Sequence, residues 1–276
     1  MANINNKNNV FIHIGLHKTG TTFLQKVVFP TLQDVHLVKP WARVRKVLLV
    51  PTDHTLLISN EALGGIPWNG TWYKEFEENV EMIKNRFPEA SILIGFRRHE
   101  SLLLSLYKQY LQEGGATSIQ KFINDKIIDI ENFHFGKRIS YIEKRFDNIF
   151  IYTQEEMINR FESFFSSLCH FFETEPTVDE PLGRETCNVG LRGEMQSDVL
   201  IALNRIDRLL ARLPVVPTLN NSIFRRFNIT PRHICQHWLS GISSSPLRLP
   251  EGLRDKVRTR FEEDWSHVQK CLEARP

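Results

Sequence analysis

Lys18, Thr21 and Thr22 stand in the run Val10-Phe-Ile-His-Ile-Gly-Leu-His-Lys-Thr-Gly-Thr-Thr22, where an apolar stretch of strand type gives way to a Gly/Lys/Thr loop and then to a helix opening at Phe23. Residues of these types at this spacing hold a phosphate-like anion. Backbone N–H groups converge where the loop enters the helix, the helix N-terminus adds partial positive charge, and ammonium and hydroxyl groups complete the donor set. Gly20 supplies freedom in φ and close backbone approach. The nucleoside-triphosphate loop GxxxxGK[ST] carries its lysine after the second glycine; here Thr21 takes that place and the lysine sits inside the loop, at Lys18. A triphosphatase also needs an acidic strand end for magnesium, and no apolar run ending in Asp answers to it.

A second segment adds positive charge. Ser91-Ile-Leu-Ile-Gly-Phe96 is a strand-like run, and Leu102, Leu103, Leu106 and Tyr110 recur at helical spacing after it. This places Arg97 at a strand's C-terminal end and Ser105 about two turns into the helix. Ligands of open α/β sheets bind at that edge. Arg98 is a rival to Arg97, and solvated arginines on an amphipathic helix are the bland alternative. A third segment, Thr55 to Gly65, is another apolar run ending in Ser59, Asn60 and Glu61. Glu61 is either a general base or merely the cap of a turn; His17 and His99, which flank the anion-binding segments, are rival bases, and His54 is a weaker one. His13 alternates away from Ile12 and Ile14 within its strand and reads as a buried histidine.

With these segments in hand, the chain resembles sulfotransferases that use 3′-phosphoadenosine 5′-phosphosulfate (PAPS), over most of Val10 to Phe172 and more loosely beyond. Lys18-Thr-Gly-Thr-Thr22 is similar to their 5′-phosphosulfate loop. Arg97 and Ser105 match the ends of their R-x-P-x-x-x-x-x-S segment, which holds the 3′-phosphate, with His99 where the proline is expected; Tyr107 and Lys108-Gln-Tyr110 continue in the manner of the heparan-type enzymes. The resemblance implies an α/β fold, a P-loop-like three-layer sandwich with a central parallel sheet flanked by helices. It implies PAPS as cosubstrate without a metal. It gives Lys18 the bridging and sulfate oxygens, with His17, Thr19, Gly20, Thr21 and Thr22 around the 5′-phosphate, and makes Glu61, in the run Ile58-Ser59-Asn60-Glu61, the base. The reaction implied is sulfuryl transfer to an acceptor hydroxyl or amine. Trp41, Trp68, Trp72 and Tyr73 lie near Glu61 in sequence, and aromatic rings that stack on sugar faces point to a carbohydrate or glycolipid acceptor. A nucleotide or small-molecule kinase and a non-catalytic nucleotide-binding protein are the alternatives.

The elements that must position these residues follow from β/α alternation. Helices are expected over Trp72 to Phe87, Ile119 to Ile130, Phe135 to Phe146 and Glu155 to Phe172, with a strand over Asn148 to Thr153 and an irregular basic stretch from Thr31 to Pro51. The Glu155 acid, displaced from the strand end, is given no catalytic role. Helices are also expected over Met195 to Leu213 and Leu253 to Leu272, and a loop around Asn188-Val-Gly190. Arg225, Arg226, Arg232 and His233 gather around Phe224, Phe227 and Trp238, either touching ligand or simply solvated. We expect a tail over 1–9 and one domain over 10–276, with the sheet and cofactor sites in 10–172 and a helical part in 173–276.

The 276 residues, 41% of them hydrophobic, suffice for a sizeable core, and the net charge of +3 argues against broad nucleic-acid binding. The polar first residues and the lack of any run of about 18 apolar residues argue against a signal peptide or membrane insertion. Cys169, Cys187, Cys235 and Cys271 are scattered without metal spacing and read as thiols, which points to the cytoplasm. Oligomeric state is not legible.

Overall fold

The computed structural model describes residues 10–39, 55–68, 70–175, 193–212, 218–219, 226, 230–235 and 245–275. The tail over 1–9, Trp41 with Arg43 and its basic neighbours, His54, Cys187, the Asn188–Gly190 loop and most of the 215–250 cluster lie outside the described residues. The chain divides into two compact units, the first built from segments up to His99, from Asp129 and from Thr259 onward, the second from Glu100–Ile128 and the segment ending at Arg258.

The first unit holds a five-stranded, wholly parallel sheet of β1 (Val10–Ile14), β2 (Val35–Val38), β3 (Thr55–Asn60), β4 (Ser91–Phe96) and β5 (Ile149–Thr153), in the order β2-β3-β1-β4-β5. Its strands are apolar on both faces, as a parallel sheet covered on both sides requires. On one face Phe11, Leu57, Leu93 and Phe150 pack with Leu24, Phe29, Phe164 and Phe172; on the other Ile12, Ile58, Ile92 and Ile94 are fully buried. Each such side chain contributes roughly 1.5–3 kcal/mol on leaving water. β1 is central because the chain runs first to β2 and β3 on one side and then crosses to β4 on the other. The loops after β1, β3 and β4 therefore share one edge at a topological switch point.

The helices of this unit are α1 (Thr21–Phe23), which continues as a π-turn over Leu24–Val28, α2 (Trp72–Arg86), the start of α3 (His99–Gln112), α5 (Phe135–Glu143), α6 (Gln154–Asn159), α7 (Phe161–Phe172) and α11 (Glu262–Glu273). The second unit holds the rest of α3, α4 (Ile119–Asn124), α8 (Glu194–Leu210) and α9 (Pro231–His233), with most of α10 (Glu251–Arg260). There Asn204 is buried and its side-chain amide donates to the Leu111 and Gly115 carbonyls, tying α8 to the end of α3.

Four expectations need correction. The irregular stretch from Thr31 contains β2, too short an edge strand for alternation to announce. Helix α4 stops at Asn124 rather than Ile130, since Lys126 turns to a φ of 51° and Asp129 caps a following 3-10 turn. Residues 155–172 form two helices broken at Arg160. The last helix is likewise two, broken at Phe261, whose backbone leaves the helical region with φ −111° and ψ 16° and whose ring lies flat on His99 with centroids 4.5 Å apart.

Candidate active site

The loop after β1 turns through two left-handed residues, Lys18 and Gly20, with φ of 67° and 94°. Left-handed residues within a turn are the general means by which successive N–H groups come to face one concavity. Gly20 also lies against α6: a Cβ there would stand 2.3 Å from the Met157 Cε, the mobile end of that side chain. Gly15 N–H donates to the Asn60 carbonyl at 3.3 Å, joining the loop to the end of β3. A Cβ on Gly15 would lie 2.6 Å from Thr21 Oγ1, and one on Gly64 2.7 Å from the Gly15 carbonyl, so the β3 end packs directly on the loop.

Not every hydroxyl expected to serve the anion is available. Thr19 is buried and its Oγ1 donates to the Leu16 carbonyl at 2.7 Å, which closes the loop and leaves Thr19 only a backbone donor to offer. Thr21 is equally buried, yet its Oγ1 has no hydrogen-bond partner. Thr22 is half-buried at the first turn of α1.

Arg97 reaches this loop from β4. Its Nη1 donates to the Lys18 carbonyl at 3.2 Å across 79 residues of chain, and its buried Nε has no partner. Burial lowers the guanidinium pKa, and the nearby Glu155 charge opposes that shift. Arg98 turns elsewhere, its guanidinium over the Trp265 ring at 5.6 Å. The sequence left both arginines open; the geometry puts Arg97 on the loop. Ser105 lies half-buried on α3 in the second unit.

Glu61 begins a 3-10 turn directly after β3, with Asn60 rather than Glu61 capping it: the Asn60 side chain accepts Ala62 N–H at 3.0 Å. Glu61 thus escapes the capping role and stands beside His17, Oε2 to Nδ1 3.9 Å, with 40% of its side chain exposed against 17% for His17. Burial raises the Glu61 carboxyl above the ordinary carboxylate range, and the Lys18 charge pulls it partly back. A carboxylate of raised pKa accepts a proton more readily than an ordinary one.

His99, a rival base, is held in the core. It is buried, its ring packs between Phe135 and Phe261, and its Nε2 lies 3.1 Å from the Phe133 carbonyl and 3.0 Å from Asp264 Oδ2. It is the first residue of α3, at the position where the motif the segment resembles has a proline. Trp72 must likewise be struck from the acceptor aromatics. It is wholly buried on the core stripe of α2 with Phe76, Val80 and Ile83, and its Nε1 donates to the Gly64 carbonyl at 2.7 Å. Trp68 and Tyr73 are half-buried.

Beneath the loop runs a buried polar chain that periodicity does not reveal. His13 Nδ1 lies 2.7 Å from Ser59 Oγ and its Nε2 3.0 Å from the Tyr152 hydroxyl. Gln25 donates to Ser59 Oγ at 2.9 Å. Tyr152, on β5, reaches His13 on β1 by crossing Gly95 on the intervening β4, where a Cβ would stand 2.1 Å from the tyrosine ring. Burial raises the Tyr152 pKa and lowers that of His13 to about 3, so both are neutral. Asp264 carries no signal in the sequence, and Glu155 was given no catalytic role there; the isolated Gly95 within an apolar strand was the one legible signal, since such a glycine marks close approach.

Among the described residues no group of three or more His, Cys, Asp or Glu is placed to hold a metal ion, no helix is long and apolar enough to cross a membrane, and Cys169, Cys235 and Cys271 are free thiols. No protein-family model and no curated protein matches the chain. Among solved structures 11 chains match. One is a sulfotransferase from Alicyclobacillus acidocaldarius, 10% identical, with a TM-score of 0.56 and 95% of each chain covered. The likeness is one of fold: a central parallel sheet flanked by helices.

Proposed function

We propose that this chain is a sulfotransferase that takes its sulfuryl group from PAPS and moves it to a hydroxyl or amine of a small-molecule or carbohydrate acceptor. The observation that carries the reading is the hydrogen bond from Arg97 to the Lys18 carbonyl, which joins the arginine turn after β4 to the glycine loop. The donor set fits a nucleotide with two anionic ends. Lys18, Thr21 Oγ1 and the N–H groups of the 18–22 turn would hold the 5′-phosphosulfate, and the unpartnered Nε of Arg97 the 3′-phosphate. Ser105 enters by its spacing from Arg97 in the sequence alone.

PAPS supplies the sulfuryl group and departs as adenosine 3′,5′-bisphosphate (PAP). Glu61 takes the acceptor proton as the acceptor atom bonds to sulfur, and Lys18 stabilises the electron pair gathered on the departing phosphate oxygen. His17, 3.9 Å from Glu61, steadies the carboxylate or stands in as base. Because a lysine ammonium answers the developing charge, the transfer needs no divalent ion, and the cytoplasm suits such an enzyme.

Thermal-shift titration with PAP, PAPS, ATP and GTP, each with and without magnesium, tests the reading. A ligand at 100 times its Kd stabilises the native state by about 2.7 kcal/mol. PAP should stabilise the protein without metal, Lys18→Ala should abolish the effect and Arg97→Ala should reduce it strongly. Stabilisation by ATP that requires magnesium, with none by PAP, would instead establish the kinase.

A further inference from the structure

Arg97 and Arg98 leave β4 together, and the acid beside them comes from another strand end. Glu155, the second residue of α6, accepts Arg98 N–H through Oε1 at 3.0 Å. Its other oxygen is buried without a hydrogen-bond partner, and so is Arg97 Nε. Leaving either atom unsatisfied is costly, and a carboxylate oxygen and a guanidinium N–H are natural partners for each other. The Glu155 charge also acts on Arg97 directly, opposing the loss of basicity that burial imposes.

Helix α6 holds this acid firmly. Thr153 caps it by accepting Glu156 N–H at 3.2 Å, Glu156 itself pairs with Arg275, and Met157 packs on Gly20 of the loop. The same short helix therefore abuts the glycine loop with one residue and the arginine turn with another. Glu155 is the residue of this helix whose charge acts on Arg97.

We propose that Glu155 is a positioning residue that competes with the nucleotide's 3′-phosphate for Arg97, and so limits how tightly the spent nucleotide is held. The proposal rests on the reading of the site as one for PAPS. The 3′-phosphate is unchanged by the reaction, so a contact at Arg97 grips substrate and product alike and by itself slows release. A fixed carboxylate sharing that arginine weakens the grip without removing the donor.

Isothermal calorimetry with two ligands separates the possibilities: PAP, and adenosine 5′-monophosphate, which lacks the 3′-phosphate. Glu155→Gln keeps an oxygen for Arg98 N–H and removes the charge. It should bind PAP on the order of tenfold more tightly, with adenosine 5′-monophosphate affinity unchanged within about twofold. Glu155→Asp keeps the charge and should leave PAP affinity within about twofold of wild type. Unchanged or weaker PAP binding in Glu155→Gln, an equal gain for both nucleotides, or the tenfold gain in Glu155→Asp would each overturn the proposal. A wild-type protein that fails to bind PAP at all would refute the nucleotide reading and carry this proposal down with it. That result is distinct from PAP binding that is indifferent to position 155.

Discussion

His13 offers a measurement in which one buried side chain sets a pH dependence. Its ring is fully buried, both nitrogens face neutral hydroxyls, and burial lowers its pKa from 6.5 to about 3. Between those values the unfolded chain binds a proton that the native protein refuses, so stability rises with pH through the window and is lost as pH falls. At 1.36 kcal/mol per unit, the full gap amounts to an upper figure of about 5 kcal/mol, with about 2 kcal/mol lost between roughly pH 6.5 and pH 5. His13→Gln keeps a polar group in the same place but cannot be protonated. Urea unfolding of both proteins, from about pH 7.5 down to about pH 4.5, gives a difference curve in which the other titrating groups cancel where they act independently. The wild type should lose stability faster by about 1.4 kcal/mol per pH unit below pH 6, while the folded protein, in which His13 stays neutral over this range, keeps its loop unchanged. Parallel pH curves would show that His13 is not the buried neutral group described, and the account of what supports the loop would fail with it.

Two further outcomes follow from the same geometry. Glu61→Gln should keep PAP binding and lose turnover, and in the wild type kcat/KM should rise with pH through a value above the ordinary carboxylate range, since the base acts only when ionised and burial raises its pKa; full turnover in the variant would move the base to His17. Gly95→Ala should destabilise the protein by about 3 kcal/mol, because the added methyl meets a tyrosine ring pinned to His13 by its hydroxyl; chemical denaturation that places the variant within about 0.5 kcal/mol of wild type would contradict the crossing of Tyr152 over β4.

The residues near one another in sequence announced themselves. Val10 to Thr22 reads as strand, anion loop and helix because its pattern is local: alternating apolar residues, then Gly and Thr where the backbone must turn. The helical stripe of α2 and the strand–arginine–helix run at Arg97 are legible for the same reason, and with them the α/β class, whose parallel sheet the structure shows. Where a periodic pattern was short or interrupted, it misled: β2 offers too few residues, and the last helix breaks at Phe261, where the chain's periodicity continues but the ring stacks on distant His99.

What only the tertiary structure decided is which distant groups meet. Strand order places β4 between β1 and β5, and from that single fact follow the need for Gly95, the reach of Tyr152 to His13 and the arrival of Arg97 at the Lys18 carbonyl. It also turned Trp72 inward and His99 into a clamp held by Asp264, residues whose types alone fit a ligand site equally well. A side chain's chemistry is written in its sequence, but its neighbours across the sheet depend on how strands are ordered, and no local spacing encodes that order.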